Sequence, residues 1–364
     1  MRMLRYRSSI IIFIAFLFSQ IFNACIEQIP ADMGVAERHL IVNGGINNLQ
    51  DEQRVNLQWT TQLGRAPEQV VGAKVLFIEN QSKTYVLHSS NPGTYTINIT
   101  EFKPVMGSSY SIEVHTVDGL EFKSAPEVML PVIAIDSLQW DIRPRTVVSI
   151  DGLANNYKAL NVYTTTSLPS TDLGVYLKWD VQSAYQFSTL PECNPFKTIY
   201  TCYFGYGTNE GDLMLFSNSN NAVRHLSRFP VGYEFLSQDY KFVETHYYSV
   251  YQHRISQPAY EYFNKLKTIS TLNGSIFDPI PSSVAGNVSN IKDPKNKVLG
   301  YFLVSSADIK RIKLESADFA GIYPLLDKAN NYCSWLFGSS TSYFQPCCDC
   351  SFLPDPLIQK PSWW

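Results

Sequence analysis

From residue 39 onward the chain reads as a succession of short runs in which apolar and polar positions alternate. Residues 39–43 carry a strand pattern that Gly44-Gly45 is expected to end, and residues 55–59 (VNLQW) have the two-residue period of a half-buried strand. The same reading predicts strands over 73–79, 84–88, 95–99 and 110–117. Asn91-Pro92-Gly93 and Asp118-Gly119 supply turn chemistry between them. Strands at this spacing predict an immunoglobulin-like or transthyretin-like β-sandwich over 39–132.

Pro126, Pro131 and the apolar run 132–135 mark a connector, and a second β-rich domain is expected over 133–364. Its predicted strands are 137–142, 146–150, 157–165 and 174–181, followed by a loop-like stretch over 182–209 and a long aromatic strand or strand pair over 240–255. One prominent α-helix is expected near 257–272. Ser256 is a natural N-cap, Pro258 suits the first turn, and Ala259, Tyr262, Phe263, Leu266 and Ile269 fall on one face. Asn273-Gly274 would close it. A strong strand at 298–305 and a cysteine-rich tail ending in Trp363-Trp364 complete a mainly β fold.

Composition sharpens this picture. Of 364 residues, 45% are hydrophobic, 13% aromatic and only 17% charged, which excludes disorder and coiled coil and favours a packed β protein. The first residues are different in kind. Arg2, Arg5 and Arg7 precede an apolar run at 10–18, too short to span a bilayer, and Ala24 precedes Cys25. The segment Phe22-Asn23-Ala24-Cys25 resembles a bacterial lipobox, which implies a signal peptide over 1–24 and lipidation of Cys25. Several acyl chains on one cysteine anchor a protein without a transmembrane helix. Residues 25–38 lack a hydrophobic period and read as a tether. Removing residues 1–24 would take away three arginines and no acid, moving the net charge from −3 to −6. No basic cluster follows, so a nucleic-acid partner is not expected.

Setting Cys25 aside leaves six cysteines: Cys193, Cys202, Cys333, Cys347, Cys348 and Cys350. In an exported protein these are expected to form disulfides rather than a zinc site, because three thiolates within four residues crowd a tetrahedral ion. Cys193 and Cys202 are expected to close their own loop. Cys333 is expected to join one of the tail cysteines, which one being left open. No nucleophile elbow, zinc-protease motif or phosphate-binding loop is present, so no catalytic residue, cofactor or metal is expected. His246 and His253 lie seven residues apart and therefore on opposite faces of an unbroken strand. Tyr247, Tyr248 and Tyr251, or Trp335 and Phe337, could form stacking platforms for a glycan, but core and interface packing is the favoured reading of such aromatics.

A longer resemblance runs through the chain. It is carried by residues 273–281 (NGSIFDPIP), Gly286-Asn287-Val288, Asp293-Pro294, residues 298–302 (VLGYF), residues 135–138 (IDSL) and a tail with Cys347-Cys348-Asp349-Cys350 and Lys360-Pro361-Ser362-Trp363. Together with the lipobox these resemble the Bacteroidota lipoproteins that contain domain of unknown function 4249. That resemblance implies a non-enzymatic outer-membrane lipoprotein, encoded beside and partnering a TonB-dependent transporter, and it assigns no catalytic residues. A structural or assembly lipoprotein of the envelope, or a surface glycan-binding protein, are the alternatives. Asp136-Ser137-Leu138 also resembles the O-glycosylation pattern of that phylum and makes Ser137 a candidate modification site.

Overall fold

The computed structural model describes residues 38–364 except 62–64, 150–151, 171–173, 191–198, 208–212, 220–222, 237–239, 243, 271–283, 320–332, 334–344 and 358. Cys25, Cys193, Asn273, Gly274, Trp335 and Phe337 lie outside the described residues.

Among the described residues the protein is mainly β, with one α-helix of more than a single turn. The first strands are β1 (Leu40–Asn47), β2 (Glu52–Trp59), β3 (Glu68–Gln69), β4 (Lys74–Glu79), β5 (Lys83–Asn91), β6 (Thr94–Asn98), β7 (Ser109–His115), β8 (Glu121–Ser124) and β9 (Glu127–Val128). There follow β10 (Ser137–Val148), β11 (Ala154–Ser167), β12 (Tyr176–Ser188), β13 (Thr201–Gly207), β14 (Met214–Ser217), β15 (His225–Phe235) and β16 (His246–Arg254). Helix α1 (Gln257–Ser270), β17 (Val288–Asn290) and β18 (Leu299–Leu314) complete the order.

Two strands change partners along their length, and these exchanges organise the molecule. In β5, Lys83 to Leu87 pair with β4, whereas the segment from His88 pairs with β6. Both groups of strands turn apolar side chains onto one cluster containing Val55, Leu57 and Tyr95 from one side and Val75, Phe77 and Ile112 from the other. Val288, Val298, Phe302 and Val304 belong to the same cluster, so residues far beyond 133 complete the core of the N-terminal strands. In β18, Leu299 to Ser305 run parallel to β1, while Ser306 to Leu314 run antiparallel to β16. That one strand joins the N-terminal ladder to β16, β12 and β13.

A second core gathers Leu160, Val162, Leu177, Trp179, Val181, Tyr248 and Val250 beneath a three-stranded sheet ordered β10-β11-β15. Within it the Gln252 amide accepts from the Trp179 indole N–H (3.0 Å) and the Thr166 hydroxyl (2.8 Å) and donates to the Ile133 carbonyl (2.9 Å). These bonds satisfy a buried amide and tie the connector to both sheets.

Several sequence-based expectations are corrected. Gly44-Gly45 do not end β1, which continues to Asn47 because the glycines let its backbone approach β18 and β2 closely. Residue 150 lies outside the described residues, and the segments expected at 137–142 and 146–150 are joined in one strand, Ser137–Val148. Its Pro144 is tolerated because β10 is an edge strand, where the missing N–H breaks no ladder. The described residues of the stretch 182–209 are mostly strand rather than loop. β12 runs through to Ser188 and β13 follows, since Ser183, Tyr185 and Phe187 alternate into buried positions. Residues 240–242 form a 3₁₀ turn rather than a strand, with the Lys241 carbonyl 3.0 Å from His246 Nδ1.

The helix matches its sequence signals. The Ser256 hydroxyl accepts from the Ala259 N–H at 3.2 Å, and Ala259 and Tyr262 are buried while Phe263 and Leu266 pack beside them. No helix among the described residues is long and apolar enough to cross a membrane.

Candidate functional site

On β12, Leu177, Trp179 and Val181 point into the second core, so Lys178 and Asp180 share the opposite face. His253 stands directly across from Lys178 on β16, as Gln252 does from Trp179 on the core side. The partner exchange of β18 brings a third strand to the same place, with Ser305 at the end of its pairing with β1 opposite Asn47. These residues line a cavity of about 640 Å³, a size suited to a small-molecule ligand. Helix α1 supplies one wall through Tyr262, Phe263 and Leu266, and β1, β2 and β18 supply others through Asn43, Asn47, Asn56, Tyr301 and Leu303.

The polar groups form a directed chain. Lys178 Nζ donates to both Asp180 carboxylate oxygens, and His253 Nε2 lies 3.2 Å from Asp180 Oδ2. Asn47 Oδ1 accepts from the Leu49 N–H at 2.8 Å, which orients its amide. Asn47 Nδ2 is therefore the donor toward His253 Nδ1 (3.2 Å) and Ser305 Oγ (3.0 Å). Nδ1, which also lies 3.3 Å from Ser305 Oγ, is thus placed as an acceptor, and Nε2 faces Asp180. Desolvation opposes charge on Asp180, but its hydrogen bond to His253 and the Lys178 ammonium outweigh this and hold the carboxyl well below the usual range.

The aromatic wall is linked to the N-terminal strands by a buried acid. Glu127 Oε1 accepts from the Tyr301 hydroxyl and, at 3.1 Å, from Ser256, the helix cap. Burial pushes the Glu127 carboxyl up despite these hydroxyl donors, and the same environment pushes the Tyr301 phenol up. Tyr262 stacks at 4.8 Å on Tyr301.

A second polar cluster lies on the core face of β12 and β16. His246 is fully buried, with Ser183 Oγ against Nε2 and Glu234 Oε2 3.9 Å away. Glu234 also accepts from the Tyr206 and Tyr248 hydroxyls. Since Nδ1 donates to the Lys241 carbonyl, Nε2 must accept from Ser183, and burial pushes the His246 pKa down to about 4. The two histidines thus occupy opposite faces of β16.

Other sequence-predicted residues are dispersed. Tyr248 is core, whereas Tyr247 is covered by Trp363 (5.6 Å) and Trp364 (4.7 Å), so the β16 tyrosines do not form one stacking platform. Ser137 is exposed at the start of β10. The cysteine pairing requires correction. Cys202 bonds to Cys350, not to Cys193, and Cys333 bonds to Cys347. Cys348 is disulfide-bonded as well. Sequence proximity misleads here because β13 carries Cys202 to the tail, where Leu357 forms a β-bridge with Tyr203. Among the described residues no group of acids, histidines and cysteines has the arrangement of a metal site.

Lys178, Asp180, Asn47 and Ser305 were not singled out by sequence reasoning, although the alternation Leu177-Lys178-Trp179-Asp180-Val181 signals two charges on one strand face. What the sequence does carry is a family pattern. The profile described as "Domain of unknown function (DUF4249)" matches residues 26–311. The chain belongs to this family. The matched span includes every residue that lines the cavity. No curated protein matches the chain. Among solved structures, one similar chain is the B domain of a biofilm associated protein, with 6% identity, coverage of 75% of this chain and 85% of that one, and a TM-score of 0.14. A likeness that low carries no argument about fold or function.

Proposed function

We propose that this DUF4249 protein is a non-enzymatic lipoprotein of the outer membrane, anchored through Cys25, that acts as a binding subunit beside a TonB-dependent transporter. Its cavity holds a ligand without transforming it. The observation that carries this reading is the state of the cavity's charges: Lys178 and Asp180 are bonded to each other, and Arg54 is paired with Glu52 at 3.1 Å. Ser305, His253 and Asp180 lie in sequence like a nucleophile relay. Ser305 Oγ lies 3.3 Å from His253 Nδ1 and accepts from Asn47, but at 2% exposure it is buried away from an incoming ligand, an arrangement suited to fixing the cavity floor.

An acyl anchor would confine the protein to the membrane plane and raise its effective concentration near a second membrane protein. The contact is assigned mainly to residues 240–364, where Trp363 and Trp364 lie over Tyr247, because exposed aromatic side chains anchor interfaces. Isolation of the native protein in mild detergent should bring a large β-barrel with it, and crosslinks should fall within 240–364. Cys25→Ser should release the protein from membrane pellets or leave it unprocessed. If no barrel accompanies the protein, the structural or assembly role in the envelope becomes the better account.

A further inference from the structure

We infer that the cavity binds a neutral, polyhydroxylated ligand of the carbohydrate class, an inference that rests on the ligand-holding reading and narrows it. Charge selects first. A charged ligand entering a partly enclosed site needs an opposite charge free to meet it, since losing water without such a partner costs several kcal/mol. Lys178 and Asp180 already neutralise one another, and the His253 imidazole is held between Asp180 and Asn47, 3.2 Å from each.

Arg54, the other charged group of the lining, is paired with Glu52 at 3.1 Å, and the cavity groups left without a partner among the described residues are uncharged. Tyr262 is 9% exposed and lines the cavity, yet its hydroxyl has no hydrogen-bond partner among the described residues, and burial alone pushes its pKa up. The Asn43 amide lines the cavity and bonds to no other described residue, and the Asn56 side chain, whose Oδ1 accepts from Thr94, has no partner for Nδ2 among the described residues. A phenol and two amides supply donors and acceptors side by side, as a hydroxyl that both gives and receives a hydrogen bond requires.

Shape agrees with this chemistry. Phe263 stands 5.3 Å from Tyr262 and 6.2 Å from Tyr301, so the helix side of the cavity is an aromatic wall. The lining contributed by β1 and β2 carries the amides of Asn43 and Asn56. A sugar ring has the same division, with C–H groups on its face and hydroxyls around its edge. These residues are separate from the β16 tyrosines, of which Tyr247 is covered and Tyr248 is core.

The experiment is calorimetric titration of the purified protein with maltotriose, cellotriose and chitotriose, using a sulfated chondroitin oligosaccharide and spermidine as charged controls. At least one neutral saccharide should bind in the micromolar to millimolar range. Tyr262→Phe and Asn43→Ala should each weaken it about 5- to 10-fold, the loss of one hydrogen bond, with circular dichroism unchanged. Neither variant removes a bond the fold uses. Preferential binding of the sulfated sugar or spermidine, weakened by the same variants, would overturn the neutral class while leaving the ligand-holding reading intact. Saccharide binding insensitive to both variants would overturn the site assignment. Absence of binding by every probe, with a barrel still co-isolated, would overturn both the ligand class and the cavity's role but not the partnership.

Discussion

A β-carbon at Gly45 would stand 1.8 Å from the carbonyl oxygen of Leu303, so β1 and β18 approach as closely as they do only because residue 45 has no side chain. On the same seam Gly300, at φ +82°, would place a β-carbon 2.0 Å from the Val42 carbonyl oxygen. The parallel ladder that joins the two parts of the fold and floors the cavity thus depends on glycine from both strands.

Gly45→Ala should therefore lower stability by about 2–4 kcal/mol, since backbone atoms rather than flexible side-chain ends must move. Gly107, whose β-carbon would meet nothing within 4 Å, provides a control. Gly107 has positive φ (+86°) whereas Gly45 does not, so Gly107→Ala reports conformational strain without steric clash and should cost only about 1–2 kcal/mol. Equal losses in chemical denaturation would mean that strand proximity is not the cause.

The disulfide arrangement predicts a specific peptide map. Non-reducing proteolysis should recover Cys202 joined to Cys350 and Cys333 joined to Cys347, with no Cys193–Cys202 peptide. Cys202→Ser with Cys350→Ser should cost about 3–5 kcal/mol, because that bridge spans 148 residues. It should also expose the tail to limited proteolysis, since the Leu357 bridge to Tyr203 and the Trp364 contact with Tyr203 at 5.0 Å would lose their tether. A wild-type digestion pattern in the double variant would show that the tail is held by packing alone.

Much of this architecture was legible in local pattern. The alternation in 55–59 and the capped amphipathic run after Ser256 reappear as β2 and α1, because burial on one face dictates their periods. What was not legible is long-range. Nothing in residues 40–47 states that they pair with 299–305, and a glycine pair reads locally as a strand end even where it permits close approach. The candidate site suffered most. Lys178, His253 and Ser305 meet only through strand register and the partner exchange of β18, neither of which has a local signature. The family pattern was readable from ordered motifs, and the profile match bears it out.

The Lys178–Asp180 pair predicts an asymmetry. The Lys178 side chain is 11% exposed and the Asp180 side chain 49% exposed. Asp180→Asn leaves a nearly buried ammonium without its carboxylate, whereas Lys178→Met leaves a carboxylate that water can reach. The first should cost about 1–2 kcal/mol, limited by solvent screening, and the second less. The double variant should recover part of the loss. A larger cost for Lys178→Met would place the stabilisation in its packing over Phe263, 5.7 Å away, rather than in the ion pair.

The last prediction concerns acid. Burial foremost, aided by the nearby Lys241 charge, pushes His246 down to about 4 from 6.5, although the bond to the Lys241 carbonyl works the other way. The folded state therefore binds fewer protons at this site than the unfolded chain between those values. Its contribution is fully present above about pH 6.5 and is lost as pH falls toward about 4, a change of about 3 kcal/mol. Glu234, 3.9 Å from the ring, acts in the opposite sense, because burial raises its carboxyl, so protonating it favours the folded state as pH falls. Tyr248 and Ser183, the other polar neighbours, do not change charge in this window. Comparing wild type with His246→Gln separates the two acids and bases, since Glu234 is common to both. Urea denaturation at pH 7 and pH 4.5 should show wild type losing about 2 kcal/mol more than the variant. Parallel losses in the two proteins would mean that the ring takes up its proton without disturbing the core, and that the acid sensitivity arises elsewhere.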